Sequence, residues 1–390
     1  MANISFTPAE RLKTALNHKE PDKIPLDLGS TNITGININA YNSYLDLKGW
    51  RTMDESPKIL DTIQQLADVP ESVLTKLGVD SRGLFTCSPA GFKPKCTEDE
   101  RYTAFTDNWG ITWQMPRENG RYYDMCAHPL AGDIDISDLK KFPWPDPLDE
   151  SIFAAIPSRI TDLERQGDYG LILNGFTSGI LEMGLRLRGF EQFFMDLYIN
   201  PVLVETMLDK LLELKCAYWE KALELIGDKV QVAVEADDLG TQNSQLISPE
   251  TYRKILKPRH KELISVIKKK APHIKVFFHS CGAVRPLIPD FIEAGIDILN
   301  PIQVAAKDME TKALKKDFGD CITFWGGAVD TQKTLPLGTP EEVKNEVMKR
   351  IENLAPSGGF IFNAIHNIQA DVPPENIEAM LEALNMYSIY

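Results

Sequence analysis

The stretch IKVFFHSCG, residues 274–282, decides the fold. Its apolar run stops abruptly at His279, and Ser280, Cys281 and Gly282 follow, so a short buried strand ends in side chains suited to chemistry. The same punctuation recurs in IPLDLGS (24–30), DSRGLF (80–85), YGLILN (169–174), KVQVAVEA (229–236), IDILN (296–300), CITFWGG (321–327) and GGFIFNA (358–364). Helix-period connectors include 201–226, 248–270, 284–294 and 339–353. Eight βα units in succession predict an α/β fold, the (β/α)8 TIM barrel. A doubly wound sheet is the alternative, but no GxGxxG follows any of these runs.

Outside this rhythm, Thr7-Pro8-Ala9-Glu10 reads as a capping box with proline at the first helical position, which predicts an N-terminal helix to about Asn17. Helix-like segments follow near 39–48 and 56–76. Residues 86–150 differ: PRENG (116–120) is a hairpin signal and FPWPDPLD (142–149) a proline-broken connector. We expect a small β-hairpin insertion within one barrel spanning 1–390.

The chain carries 42 Lys and Arg against 56 Asp and Glu, a net charge of −14, which disfavours nucleic acid and anionic membrane surfaces as partners. The first twenty residues lack a signal-peptide core and no run reaches the roughly 18 apolar residues of a membrane span, so a cytoplasmic protein is expected, for which a homodimer is an admissible state. Six cysteines without a pairing framework read as free thiols or metal ligands.

A barrel gathers its chemistry at the C-terminal ends of its strands. There the sequence places Asp27 and Ser30, Arg82, Asn174, Glu235 with Asp237 and Asp238, His279 and Cys281, Asn300, Trp325 and Asp330, Asn363 and His366. Asn300 and Asp330 serve equally well as helix N-caps. Residues i and i+2 of a strand face the same way, so His279 and Cys281 can converge on one cation, and Zn²⁺ accepts both donors. Gly282 lets the backbone turn and leave the thiol at the mouth. His366 occupies the matching place after the last strand and supplies a third ligand; Glu235 is the candidate fourth, or else a partner that orients His279. The competing readings are a core histidine beside an inert cysteine, and Cys281 as a nucleophile with His279 or His366 as its base. Asp237, Asp238 and Asn174 are the candidate catalytic groups; Asp27, Ser30, Asn300, Trp325 and Asn363 are the candidate substrate contacts.

The ordered blocks ERLKTALNHKEPDKIPLDLGS, EADDLGTQNSQLISPETYRKILKPRHKELI, FFHSCGAVRPLIPDFIEAGIDILNPIQ, FWGGAVDTQKTLPLGTPEEV and GGFIFNAIHNIQADVPPENIEAML together resemble the uroporphyrinogen decarboxylase superfamily over essentially the whole chain. The resemblance implies the same barrel. True decarboxylases of that superfamily open with an arginine-rich segment that holds substrate carboxylates, where this chain has IPLDLGSTNITGI (24–36). The HxCG block is instead similar to the methyltransferase branch, in which His-x-Cys binds zinc with a further cysteine near the last strand. Here that place matches His366, which makes a harder Lewis acid and favours methyl release from oxygen over thiol activation.

The resemblance thus implies a zinc methyltransferase acting on a small O-methyl substrate, with the corrinoid on a separate protein, since no Asp-x-His-x-x-Gly pattern occurs. Some ether-demethylating relatives use glutamates, which keeps Glu235 with Glu250 as a rival ligand set. Trp109, Trp113, Tyr122 and Tyr123 are a candidate docking edge for that protein, or else the insertion's own core. The alternatives are a metal-independent decarboxylase with Asp27, Asp237 or Asp238 as proton donor, and a non-catalytic tetrapyrrole- or corrinoid-binding protein.

Overall fold

The computed structural model describes residues 6–390. Seven parallel strands run in strict sequential order around a barrel: β1 (Ser81–Leu84), β2 (Gly170–Leu173), β3 (Val232–Ala236), β4 (Lys275–His279), β5 (Ile298–Asn300), β6 (Thr323–Trp325) and β7 (Phe360–Ile361). In β4, Phe277 pairs with Val234 on one side and Ile298 on the other. The eighth expected strand, IPLDLGS, is reduced to a bridge between Leu26 and Phe362. Pro25 has no N–H to give the ladder, which cuts it short. The ring closes nevertheless: the Pro25 carbonyl accepts from Phe362 N at 2.8 Å, and the Leu26 carbonyl from Asp80 N at 2.8 Å.

Helix α1 (Pro8–Leu16) has the capping box read from its sequence, with Thr7 and Glu10 exchanging side-chain and backbone bonds. Its apolar face, Leu12, Ala15 and Leu16, plugs the barrel and packs with Ile172, Val234, Phe277, Ile298, Trp325 and Ile361 into an inner core. A larger core fills the space between strands and outer helices, including α2 (Ile180–Arg188), α3 (Pro201–Ile226) and α4 (Lys257–Lys270). With its lower end filled by α1, the barrel is open at its upper mouth.

Two expectations are corrected. Residues 56–76 are not one helix but an antiparallel pair, Lys58–Asp61 with Leu66–Asp68, followed by a short helix Glu71–Leu77. Pro57 and Pro70 bound the pair and Gln65 turns it in the left-handed region at φ 55°, an arrangement that a helical period cannot include. The insertion is not a lone hairpin but a four-stranded meander: Lys95–Glu98, Tyr102–Thr106, Thr112–Pro116 and Asp124–Ala127. Its first turn is held by Asp99, whose carboxylate accepts from Arg101 N and Tyr102 N at 2.7 Å each. That turn lies in a charged run without glycine or proline, so it gave no conventional signal. Among the described residues no helix is long and apolar enough to cross a membrane.

Candidate metal centre

Two glycine backbones cross where β4 ends. Gly282 adopts φ 88°, and a Cβ there would lie 2.4 Å from the carbonyl carbon of Gly240. Only a residue without Cβ allows this approach. The turn is pinned by Ala283 N donating to the Thr241 carbonyl at 2.8 Å and by Gly282 N donating to Gln303 Oε1 at 2.6 Å. Cys281 is thereby directed back over the barrel mouth, with its own N–H on Asp238 Oδ1 at 2.9 Å.

His279, Cys281 and His366 converge there, with one potential ligand atom from each lying within 4.8 Å of the others. Cys281 Sγ is 3.4 Å from His279 Nε2, close to the separation of about 3.5 Å that tetrahedral zinc imposes on nitrogen and sulfur ligands. The His366 ring lies 5.5 Å from that of His279, centroid to centroid. Asn300 fixes the tautomer. Its Nδ2 donates to the Trp325 carbonyl at 2.8 Å, so its Oδ1 faces His279 Nδ1 at 2.6 Å and must accept. Nδ1 therefore carries the proton and Nε2 presents its lone pair to the cluster.

The electrostatics favour a cation. Burial, reinforced by Asp238 and Glu182, pushes the Cys281 thiol well above its usual range, so this sulfur is a poor free nucleophile and becomes a thiolate only beside positive charge. Burial, and then the neighbouring His279, hold the His366 imidazole down to about 4, leaving it neutral at pH 7 as a ligand must be.

Other sequence candidates lie elsewhere or have other work. Glu235 is not a member of the cluster: its fully buried carboxylate forms an ion pair with Lys215 at 2.9 Å and accepts from Trp219 Nε1. Lys215 also donates to the carbonyls of Thr177 and Ser178, so the pair holds a cavity-wall loop. Glu250 sits in the first turn of a short helix capped by Ser248, away from the cluster. The adjacent carboxylates of Asp237 and Asp238 part. Asp237 is saturated, taking bonds from Leu181 N, Glu182 N and His260 Nε2, and so anchors α2 instead of meeting a ligand. Asp238 lines the cavity, 3.6 Å from His279 Nε2.

Asn174 ties the closing segment to β1 through the carbonyls of Ser30 and Leu84. Asp27 and Trp325 bond to each other inside the barrel, Asp27 also accepting from Ser81 Oγ, and Trp325 has no exposed surface. Asn363 spans the carbonyls of Asp27 and Thr34. Ser30 lines a different cavity. Asp27, Trp325 and Asn363 serve the scaffold, whereas Asn174 also lines the cavity that His279 and His366 face; a polar residue that closes a barrel and one that contacts a ligand look alike in sequence.

The two histidines of the cluster, His279 and His366, form part of the wall of a cavity of about 580 Å³, a size suited to a small molecule. Trp109, Trp113 and Phe176 supply aromatic surface, so the insertion's tryptophans face inward; Tyr122 is 47% exposed. Asp61, Glu182 and Arg186 were not singled out from sequence. Burial pushes the carboxyls of Asp61 and Glu182 upward, against the opposing pull of Arg186. Glu182 and Arg186 are ion-paired one helical turn apart on α2, a spacing common on solvated helices and therefore silent in sequence.

A family model described as uroporphyrinogen decarboxylase (URO-D) matches residues 127–387. The chain belongs to the uroporphyrinogen decarboxylase family. Among curated members, it is 27% identical to the uroporphyrinogen decarboxylase of Chlorobium limicola over 215 residues, covering 53% of this chain and 55% of that protein. It is 25% identical to the methylated-thiol–coenzyme M methyltransferase of Methanosarcina mazei over 253 residues, covering 62% and 60% respectively. The chain thus spans little more than half the length of these two relatives. A solved structure described as a methyltransferase from Methanosarcina mazei superposes with a TM-score of 0.65 at 20% identity, over 98% of this chain and 99% of that one. This likeness establishes the barrel architecture that sequential βα units predicted.

Proposed function

We propose that this member of the uroporphyrinogen decarboxylase family is a zinc-dependent methyltransferase, moving a methyl group between a small O-methyl substrate and a corrinoid carried by a separate protein. The observation that carries the proposal is the convergence of His279, Cys281 and His366, two of which, His279 and His366, line an aromatic cavity. Three protein donors with nitrogen and sulfur in this ratio suit zinc with one position left for substrate. Zinc bound there would act as a Lewis acid that polarises the substrate oxygen.

The chain's own residues do the rest. Asn300 holds His279 in the ligating tautomer. Trp109, Trp113 and Phe176 pack the apolar body of the substrate and exclude water. Glu182, ion-paired with Arg186, faces the same cavity. The relative named a methylated-thiol–coenzyme M methyltransferase supports the reaction class. Decarboxylation of a polyacid fits poorly, because Asp61, Asp107, Glu182 and Asp238 line the cavity against Arg186, itself held by Glu182.

Metal analysis of protein purified without chelator tests the proposal. Wild type should hold about one zinc per chain, and Cys281→Ala and His366→Ala should each lose most of it. Zinc-free wild type, or full retention in Cys281→Ala, would refute it.

A further inference from the structure

The cavity that His279 and His366 line carries an unequal set of charges. Five carboxylates border it, Asp61, Asp107, Glu182, Glu235 and Asp238, while Arg186 is the one guanidinium and no lysine lines it. Lys215 balances Glu235, and Arg186 balances Glu182 from one turn along α2. Asp107 accepts from Trp109 N, Ile111 N and Trp113 Nε1, and Asp61 from Gln64 N; these neutral donors satisfy hydrogen bonds without cancelling charge. Asp238 is the accessible one. Its side chain is 45% exposed, Oδ1 accepts from Cys281 N at 2.9 Å, and Oδ2 has no donor among the described residues. The crowding of like charge is felt at Glu182, whose carboxyl burial, joined by Asp238 and Asp237, holds above its usual range against the pull of Arg186.

The aromatic walls add an independent feature. Trp109 and Phe176 meet edge to face at 5.7 Å, and the Arg186 guanidinium lies over the Trp113 ring at 5.3 Å. The cation already in this cavity is therefore held by an aromatic face and a carboxylate together, the pair of partners that suits an organic cation. We propose that the O-methyl substrate also carries an ammonium group, which pairs with Asp238 while the apolar body lies on Trp109 and Phe176. This inference rests on reading the cavity as the substrate site. Zinc held with one thiolate would offset only part of the negative charge, an anionic substrate would be repelled by Asp238, and the net charge of −14 favours the approach of cations from solution.

The test titrates 2-methoxybenzylamine, 2-methoxybenzyl alcohol and 2-methoxybenzoate, which share ring and ether and differ in charge, into the full chain by calorimetry at neutral pH, zinc-loaded and after chelator treatment. The charged group is placed next to the ether because Asp238 Oδ1 lies 3.6 Å from His279 Nε2, the nitrogen that faces the metal position. The amine should bind roughly tenfold more tightly than the alcohol in both preparations, and the benzoate should bind least. Asp238→Asn keeps an acceptor for Cys281 N–H; it should remove most of the amine's advantage and leave the alcohol's affinity unchanged. The proposal is overturned by equal binding of amine and alcohol, by tightest binding of the benzoate, by no binding of any probe at millimolar concentration, or by an amine preference that survives Asp238→Asn intact. If that variant does not fold, the order of the three probes on wild type still decides. A wild type that holds no zinc refutes the metal reading and leaves the order of the probes to be measured, whereas a lost amine preference with zinc retained overturns this inference alone.

Discussion

At the scale of single residues, Asn300 holds the His279 ring through Nδ1 and so sets which nitrogen a metal would meet. Asn300→Leu leaves His279 Nδ1 without its acceptor and frees the ring to rotate. Zinc affinity should fall about 10- to 100-fold, measured by competition with a chromophoric chelator, whereas Asn300→Asp keeps the acceptor and should retain most of the affinity. His366 gives a pH signature in metal-free protein. Its folded pKa of about 4 lies below the unfolded value near 6.5, so between these pH values the unfolded chain binds more protons. This contribution to stability therefore falls as pH drops from 6.5 towards 4. Urea titrations across that window should show a steeper loss for wild type than for His366→Gln; parallel curves would contradict the assignment. His279 and Cys281 were legible because their i, i+2 spacing is local. Glu182 was not, since nothing in its neighbourhood says that α2 turns that face to a cavity.

At the scale of elements, the turn after β4 depends on two backbones in contact. Gly282→Ala combines a positive φ with main-chain overlap at Gly240, and should cost more than about 2 kcal/mol while lowering zinc content. Chemical denaturation with metal analysis checks both effects. The loop after β2 rests on the buried Lys215–Glu235 pair, at 1% and 2% side-chain exposure. Lys215→Met strands a buried carboxylate and should cost about 3–5 kcal/mol; Lys215→Met combined with Glu235→Gln should recover much of it. A destabilisation unchanged in the double variant would show that the pair is not what stabilises the loop. Glu235 read as a ligand because it ends a strand beside two aspartates. Its partner lies twenty residues earlier on α3, and no local pattern links a buried helix lysine to a strand glutamate.

At the scale of the whole molecule, the barrel was legible because each βα unit repeats the same short apolar run and amphipathic connector. Closure was not, because Leu26 completes the ring with only isolated backbone bonds around Pro25. The split of polar strand ends between scaffold and site was also hidden, since Asn174 and Asn363 bond backbone distant in sequence and Asp27 bonds the distant side chains of Ser81 and Trp325. Chemistry is the level at which the proposed function stands or falls. The most direct measurement mixes zinc-loaded protein with cob(I)alamin and a small methyl aryl ether under anaerobic conditions and follows methylcobalamin absorbance. Wild type should form methylcobalamin and release the phenol in equal amounts, and Cys281→Ala and chelator-stripped protein should form neither. Equal methyl transfer by the stripped protein, or none by the zinc-loaded protein with any methyl ether supplied, would contradict zinc-dependent methyl transfer at His279, Cys281 and His366.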